Sequence, residues 1–141
     1  MAKLNMVKAL NLALHQEMER DGDVLVIGED VGVDGGVFRV TEDLHRTFGG
    51  KRVIDSPLAE AATIGTSIVM ALYGLRPVCE IQFSGFAFQC FHQIEHHAAR
   101  YRTRSQGRFH LPLVIRMPYG GGVRALEHHS ESEEQFYAHR L

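Results

Sequence analysis

Residues 53–86, VIDSPLAEAATIGTSIVMALYGLRPVCEIQFSGF, constrain the fold more than any other part of the chain. Val53 and Ile54 have strand character and lead into the polar, proline-bearing turn Asp55-Ser56-Pro57. Ala61, Ile64, Gly65, Ile68 and Leu72 then recur at helical spacing. Gly74 stands where a helix cap is expected, and residues 78–81 read as a second apolar strand. Strand, helix and strand in this order predict a βαβ unit, in which the two strands run parallel. Glu60 falls in the first turn of that helix, beside the carboxyl end of a strand, where open α/β sheets place their ligands. The helix dipole alone also favours an acid there, so position leaves a structural and a functional reading open.

The rest of the chain extends this pattern. Residues 24–27, VLVI, are continuously apolar, as a parallel strand covered on both faces requires. A helix is predicted over 6–19, with Met6, Leu10, Ala13, Leu14 and Met18 on one face and Asn5 as N-cap. Gly28-Glu29-Asp30 ends the first strand, and Gly32, Gly35 and Gly36 predict a flexible loop before a short helix over 41–48. A longer helix is expected over 88–101 and a strand over 111–116. Ser130-Glu131-Ser132-Glu133 fits a capping box, which predicts a helix starting just after Ser130, with Phe136 and Tyr137 on its buried side and His129 at its positive pole. The expected architecture is α/β, with three layers and a mostly parallel sheet flanked by helices.

Composition narrows the function classes. Of 141 residues, 45% are apolar and 23% charged, with a formal net charge of -2. That balance offers no electrostatic basis for binding nucleic acid or a membrane surface. The amino-terminal MAKLNMVKAL has neither the apolar core of a signal peptide nor an Arg-rich transit pattern, and no apolar run approaches membrane-spanning length. Cys79, in an expected buried strand, and Cys90, in an expected helix, read as small core residues of a reducing, cytoplasmic protein. There is no GxGxxG or Walker pattern to grip a nucleotide.

DSPLAEAATIGTSIVMALYGLRPVCEIQFSGF resembles the thiamine-diphosphate-binding core of the β chain of 2-oxo acid dehydrogenase decarboxylating components, the pyruvate and branched-chain type. GEDVGVDGGVFRVTEDL upstream, then YRTRS, LPLVIRMPYGGG and EHHSES downstream, resemble the same family in the same order, so the likeness covers essentially the whole chain. It implies a transketolase-like pyrimidine-binding domain. The expected activity is oxidative decarboxylation of a 2-oxo acid, with acyl transfer to the lipoyl group of an acyltransferase component. EIQFSGF is more similar to branched-chain and broad-specificity members than to strict pyruvate enzymes, with a pyruvate or acetoin dehydrogenase β chain as the alternative.

The resemblance assigns roles residue by residue. Glu60 corresponds to the acid that meets the cofactor's pyrimidine nitrogen. Leu58, Gln82 and Phe86 fall in the same pyrimidine-binding group, Leu58 through its backbone and Phe86 through a stacking face. His129 corresponds to the active-site histidine that assists acyl transfer. Backbone carbonyls of Leu111, Leu113 and Val114 correspond to ligands of a structural potassium ion. Taken alone, Phe86 reads as packing and His129 as a loop histidine.

The family holds magnesium and the diphosphate through Gly-Asp-Gly and distant paired asparagines. This sequence has no Gly-Asp-Gly, and its only asparagines are Asn5 and Asn11. The resemblance therefore implies a separate α subunit carrying the metal and half of the cofactor site, in an α2β2 heterotetramer. The chain also stops within an expected helix, so residues 1–141 are expected to be an incomplete pyrimidine-binding domain without the carboxyl-terminal domain of a full β chain.

Two other readings compete. His92-Gln93-Ile94-Glu95-His96 is a literal H-x-x-E-H, the pattern of a zinc hydrolase, with His97, His128 and His129 as further candidate ligands. Against it, nine histidines make a chance match unsurprising, and a five-residue pattern has many false positives. The same fold could also serve only assembly, as a non-catalytic subunit.

Overall fold

The computed structural model describes residues 3–140, without the side chain of Arg140. Its elements are α1 (Met6–Arg20), β1 (Val24–Gly28), α2 (Leu44–Phe48), β2 (Val53–Asp55), α3 (Glu60–Leu72), β3 (Arg76–Glu80), α4 (Tyr101–Arg104), β4 (Val114–Arg116) and α5 (Glu134–Arg140). Leu141, expected from the sequence to continue the last helix, lies outside the described residues. No helix among the described residues is long and apolar enough to cross a membrane.

The four strands form one sheet in the order β2-β1-β3-β4, and every pairing is parallel. All five residues of β1 are buried, as its unbroken apolar run requires. Strand alternation divides the core. Leu25 and Ile27 pack with Ile64 and Ile68 of α3 on one face, whereas Val24 and Val26 pack with Leu14 and Met18 of α1 on the other. The result is the predicted three-layer α/β arrangement.

Local chemistry explains where the elements end. Asn5 caps α1, its side chain accepting from Lys8 N at 2.9 Å. Beyond α3, Gly74 adopts φ +97°; its N–H donates to Ala71 O and that of Leu75 to Met70 O, each at 3.1 Å. This paired bond pattern is a Schellman motif, and it turns the chain directly into β3.

Several expectations need correction. Met6, Leu10 and Ala13 are exposed, and α1 packs on the sheet through Leu14 and Met18, with Val7 beside them. The short helix starts at Leu44 because Asp43 is left-handed, with φ +66°. The glycine loop after β1 is tied down: Gly32 N donates to Asp55 Oδ1 at 2.6 Å and Gly36 N to Asp30 O at 2.8 Å. The continuous helix over 88–101 is replaced by a 3-10 turn (Ser84–Gln89), a π-helical turn (Gln93–Ala98) and α4. The widened π turn lets consecutive Ile94 and Glu95 both face inward. Finally, β4 begins at Val114, so Leu111 and Leu113 precede the strand.

Candidate functional site

β1 has β2 on one side and β3 on the other, so the chain reverses direction across the sheet between β1 and β3. The crevice beyond the carboxyl ends of those two strands is where such sheets place a ligand. Glu29 and Asp30 follow β1, Ile81 and Gln82 follow β3, and Glu60 opens α3 from the adjoining side. β1 and β3 meet closely there: a Cβ on Gly28 would lie 2.6 Å from Glu80 O.

Glu60 is 7% exposed, and its Oε2 is buried with no hydrogen-bond partner. Leaving a buried carboxyl oxygen unmet costs free energy, so Glu60 Oε2 calls for a partner, whether a water or a ligand. It borders a cavity of about 10 Å³ shared with Glu29, Ser56, Pro57, Thr63 and Gln82. A space that small holds about one water and encloses no ring. Leu58, two residues earlier, is exposed. Burial, then Asp30 and Glu60, push the Glu29 carboxyl above the usual carboxylate range.

Gln82 lies two residues beyond β3, and its Nε2 donates to Asp30 Oδ2 at 2.8 Å. The next residue, Phe83, begins an aromatic cluster. Its ring centroid lies 5.8 Å from Phe86 and 4.6 Å from the His129 imidazole, both edge-on, and Phe86 to His129 is 5.3 Å. These contacts have favourable aromatic geometry. The consecutive pair Gln82-Phe83 therefore joins an acidic half containing Glu60 to an aromatic half containing Phe86 and His129.

His129 reaches this place by a route the sequence did not suggest. The helix begins at Glu134, five residues later than the histidine and four later than Ser130. Ser130 N donates to Glu127 O at 2.9 Å, closing a 3-10 turn over Glu127–His129, and its Oγ donates to Ala125 O at 2.5 Å. That turn lies against Gly85, where a Cβ would collide with the His128 carbonyl oxygen. His129 is half-buried while His128 is exposed, which separates the adjacent pair.

The remaining sequence candidates lie elsewhere. Leu111 and Leu113 line a separate cavity of about 550 Å³ beneath α5, with Glu133 and Tyr137, and Leu111 O accepts from Leu113 N at 2.8 Å. Val114 is exposed. His92 and His96 stack at 4.8 Å, but Glu95 is buried and faces His96 Nε2 at 3.4 Å and Arg100 Nη2 at 3.3 Å. No group of three or more His, Cys, Asp or Glu side chains able to hold a metal forms among the described residues. The glutamate of H-x-x-E-H is thus turned inward, paired with Arg100. Burial raises the thiols of Cys79 to about 11 and Cys90 to about 12, so both remain protonated core residues.

Sequence reasoning missed Asp30 and the ion pair of Glu80 with Arg116. A signal existed: each charge closes an apolar strand, and in the observed register the two residues are direct neighbours.

Comparison with known proteins agrees with this geometry. Residues 2–140 match the family described as the transketolase pyrimidine-binding domain. The chain is similar to a protein named pyruvate dehydrogenase E1 component subunit beta from Acholeplasma laidlawii, 50% identical over 137 residues, covering 97% of this chain and 42% of the relative. It is 52% identical over 136 residues to 3-methyl-2-oxobutanoate dehydrogenase subunit beta from Mycobacterium tuberculosis (96% and 39%). A Leifsonia xyli protein named pyruvate dehydrogenase E1 component subunit beta is 53% identical over 136 residues (96% and 40%). The chain thus spans about two fifths of the length of these relatives. With the parallel sheet and the crevice between β1 and β3, the match over residues 2–140 establishes that the chain belongs to the transketolase pyrimidine-binding domain family.

Proposed function

We propose that this chain supplies the pyrimidine-binding half of a thiamine-diphosphate-dependent 2-oxo acid dehydrogenase, acting as its β subunit beside an α subunit. The observation that carries the reading is the buried, partnerless Oε2 of Glu60 at the ligand-bearing end of the sheet. It fits a cofactor with a flat nitrogen heterocycle, because a carboxyl group can share a proton with a ring nitrogen. Bound thiamine diphosphate supplies the electron sink for decarboxylation. Glu60 holds or releases the proton at the ring nitrogen, Gln82 and the Leu58 backbone orient the ring, and Phe86 offers it an apolar face. His129, fixed between aromatic rings, positions or donates a proton when the acyl group passes to a lipoyl carrier.

The small Glu60 cavity encloses no ring, so the rest of the binding wall comes from outside these residues. That supports a site shared with an α subunit holding magnesium and the diphosphate, in an α2β2 assembly. Relatives at 50–53% identity carry both pyruvate and 3-methyl-2-oxobutanoate names, so a branched-chain or broad-specificity substrate and pyruvate are both compatible. The full-length chain should be purified with its α partner and assayed for thiamine diphosphate binding and carbon dioxide release. Binding with turnover of a branched 2-oxo acid or pyruvate supports the proposal. A well-assembled complex that binds no thiamine diphosphate favours a subunit used only for assembly.

A further inference from the structure

Beyond the aromatic cluster lies a second cavity, of about 230 Å³. Phe83 and His129, in edge-on contact, line it together with Phe38, whose ring lies 5.7 Å from Phe83. The loop after β4 supplies the other side through Tyr119, Gly120, Gly121 and Val123. Gly120 N donates to Glu131 O at 2.8 Å, which ties this loop down at one point. Next to it, a Cβ added to Gly121 would meet nothing within 4 Å, so open space lies beside the backbone there. Tyr119 and Val123 are exposed, which leaves the cavity accessible from solvent. No Lys, Arg, Asp or Glu lines it among the described residues, and its polar side-chain atoms come from Tyr119 and His129. Such a lining holds a ligand through apolar area and few hydrogen bonds. An apolar cavity of about 150 Å³ admits benzene, so this one admits a branched chain of about four or five carbons.

We propose that this cavity receives the branched hydrocarbon tail of the 2-oxo acid, and that Gly121 and Val123 set how large a tail is accepted. The inference rests on the dehydrogenase reading above and deepens it. Gln82 borders the Glu60 cavity and the next residue, Phe83, borders this one, so the two spaces are joined through consecutive residues. A substrate reacting on the Glu60 side can extend its tail past Phe83 toward His129. Its carboxylate finds no cation in the cavity, so the uncharged end is the one that enters. His129 then borders the acyl group that remains once carbon dioxide has left.

The test compares substrates in the full-length chain assembled with its α partner, using an artificial electron acceptor so that no lipoyl group takes part. Gly121→Leu places a side chain in the open space, and kcat/KM for 3-methyl-2-oxobutanoate should fall about tenfold while that for pyruvate changes less than about twofold. Val123→Ala enlarges the cavity and should favour 4-methyl-2-oxopentanoate over 3-methyl-2-oxobutanoate by about fivefold. Both positions are exposed, so neither substitution opens the core. A second readout needs no cofactor: the uncharged probe 2-methylpropanamide, followed by saturation-transfer NMR, should bind the assembled protein and bind about tenfold more weakly to Gly121→Leu. Equal losses for both substrates would overturn the proposal, as would unchanged ratios or a defect confined to transfer onto a lipoyl acceptor. Thiamine-dependent turnover with unaltered ratios would remove the pocket and leave the dehydrogenase reading. Probe binding sensitive to Gly121→Leu in a complex that binds no thiamine diphosphate would remove that reading and leave an apolar pocket.

Discussion

The side-chain amide of Gln82 donates from Nε2 to Oδ2 of Asp30 at 2.8 Å, tying the segment after β3 to the segment after β1 across the crevice. The amide nitrogen is engaged by the Asp30 carboxyl oxygen, and the amide oxygen remains available. Asp30→Ala should free Gln82 to reorient. Expected effects are a stability loss of about 1 kcal/mol or less and thiamine diphosphate affinity reduced roughly fivefold in the assembled protein, read by calorimetric titration. Unchanged affinity would detach Asp30 from the site.

Gly85→Ala tests the seating of His129. The new methyl group would collide with the His128 carbonyl oxygen and lie 2.8 Å from Glu131 Oε2, so the 127–129 turn must move away. The strain should cost about 1–3 kcal/mol. Acyl transfer to a lipoyl acceptor should fall more steeply than decarboxylation measured with an artificial acceptor. Equal losses in both assays would argue that His129 has no role of its own in transfer.

Glu133 gives a pH prediction. Burial, then Glu131, raise its carboxyl to about 7 from the ordinary 4.5. Because the folded value is the higher one, the folded state binds the proton more tightly. Its stabilising effect is fully present below about 4.5 and disappears as pH rises through about 7. Tm should therefore fall between about pH 4.5 and 7, and Glu133→Gln should flatten that decline. A decline of equal size in the variant would place its origin elsewhere.

Ile64 is fully buried on the α3 face of the sheet, between the strands and Ile94. Ile64→Ala should cost about 2–5 kcal/mol in a denaturant titration. A loss below about 1 kcal/mol would mean the site collapses around the smaller side chain, and that α3 is held by other contacts.

The sheet was legible because its signals are local. The apolar run of β1 and the periodic face of α3 ending at Gly74 each follow from a few consecutive residues. The capping box failed because Ser130 is taken into the end of the preceding 3-10 turn, its N–H donating to Glu127 O, and the helix begins only at Glu134. The inward turn of Glu95 beside Arg100 was not legible from H-x-x-E-H, because spacing carries no burial information. Gln82 and Phe86 were recognisable only by resemblance. Asp30, Arg116 and the seat of His129 depend on contacts between segments far apart in sequence.

The role proposed for Glu60 is to present a carboxyl group to a cofactor ring. Its most direct test is carbon dioxide release from a 2-oxo acid by the assembled complex carrying Glu60→Gln, a substitution that keeps size and removes proton exchange. Turnover should fall at least a hundredfold while assembly and Tm stay at wild-type values, since acid–base groups contribute about 10² to 10⁴ in rate. Wild-type turnover in a fully assembled Glu60→Gln complex would remove Glu60 from the chemistry.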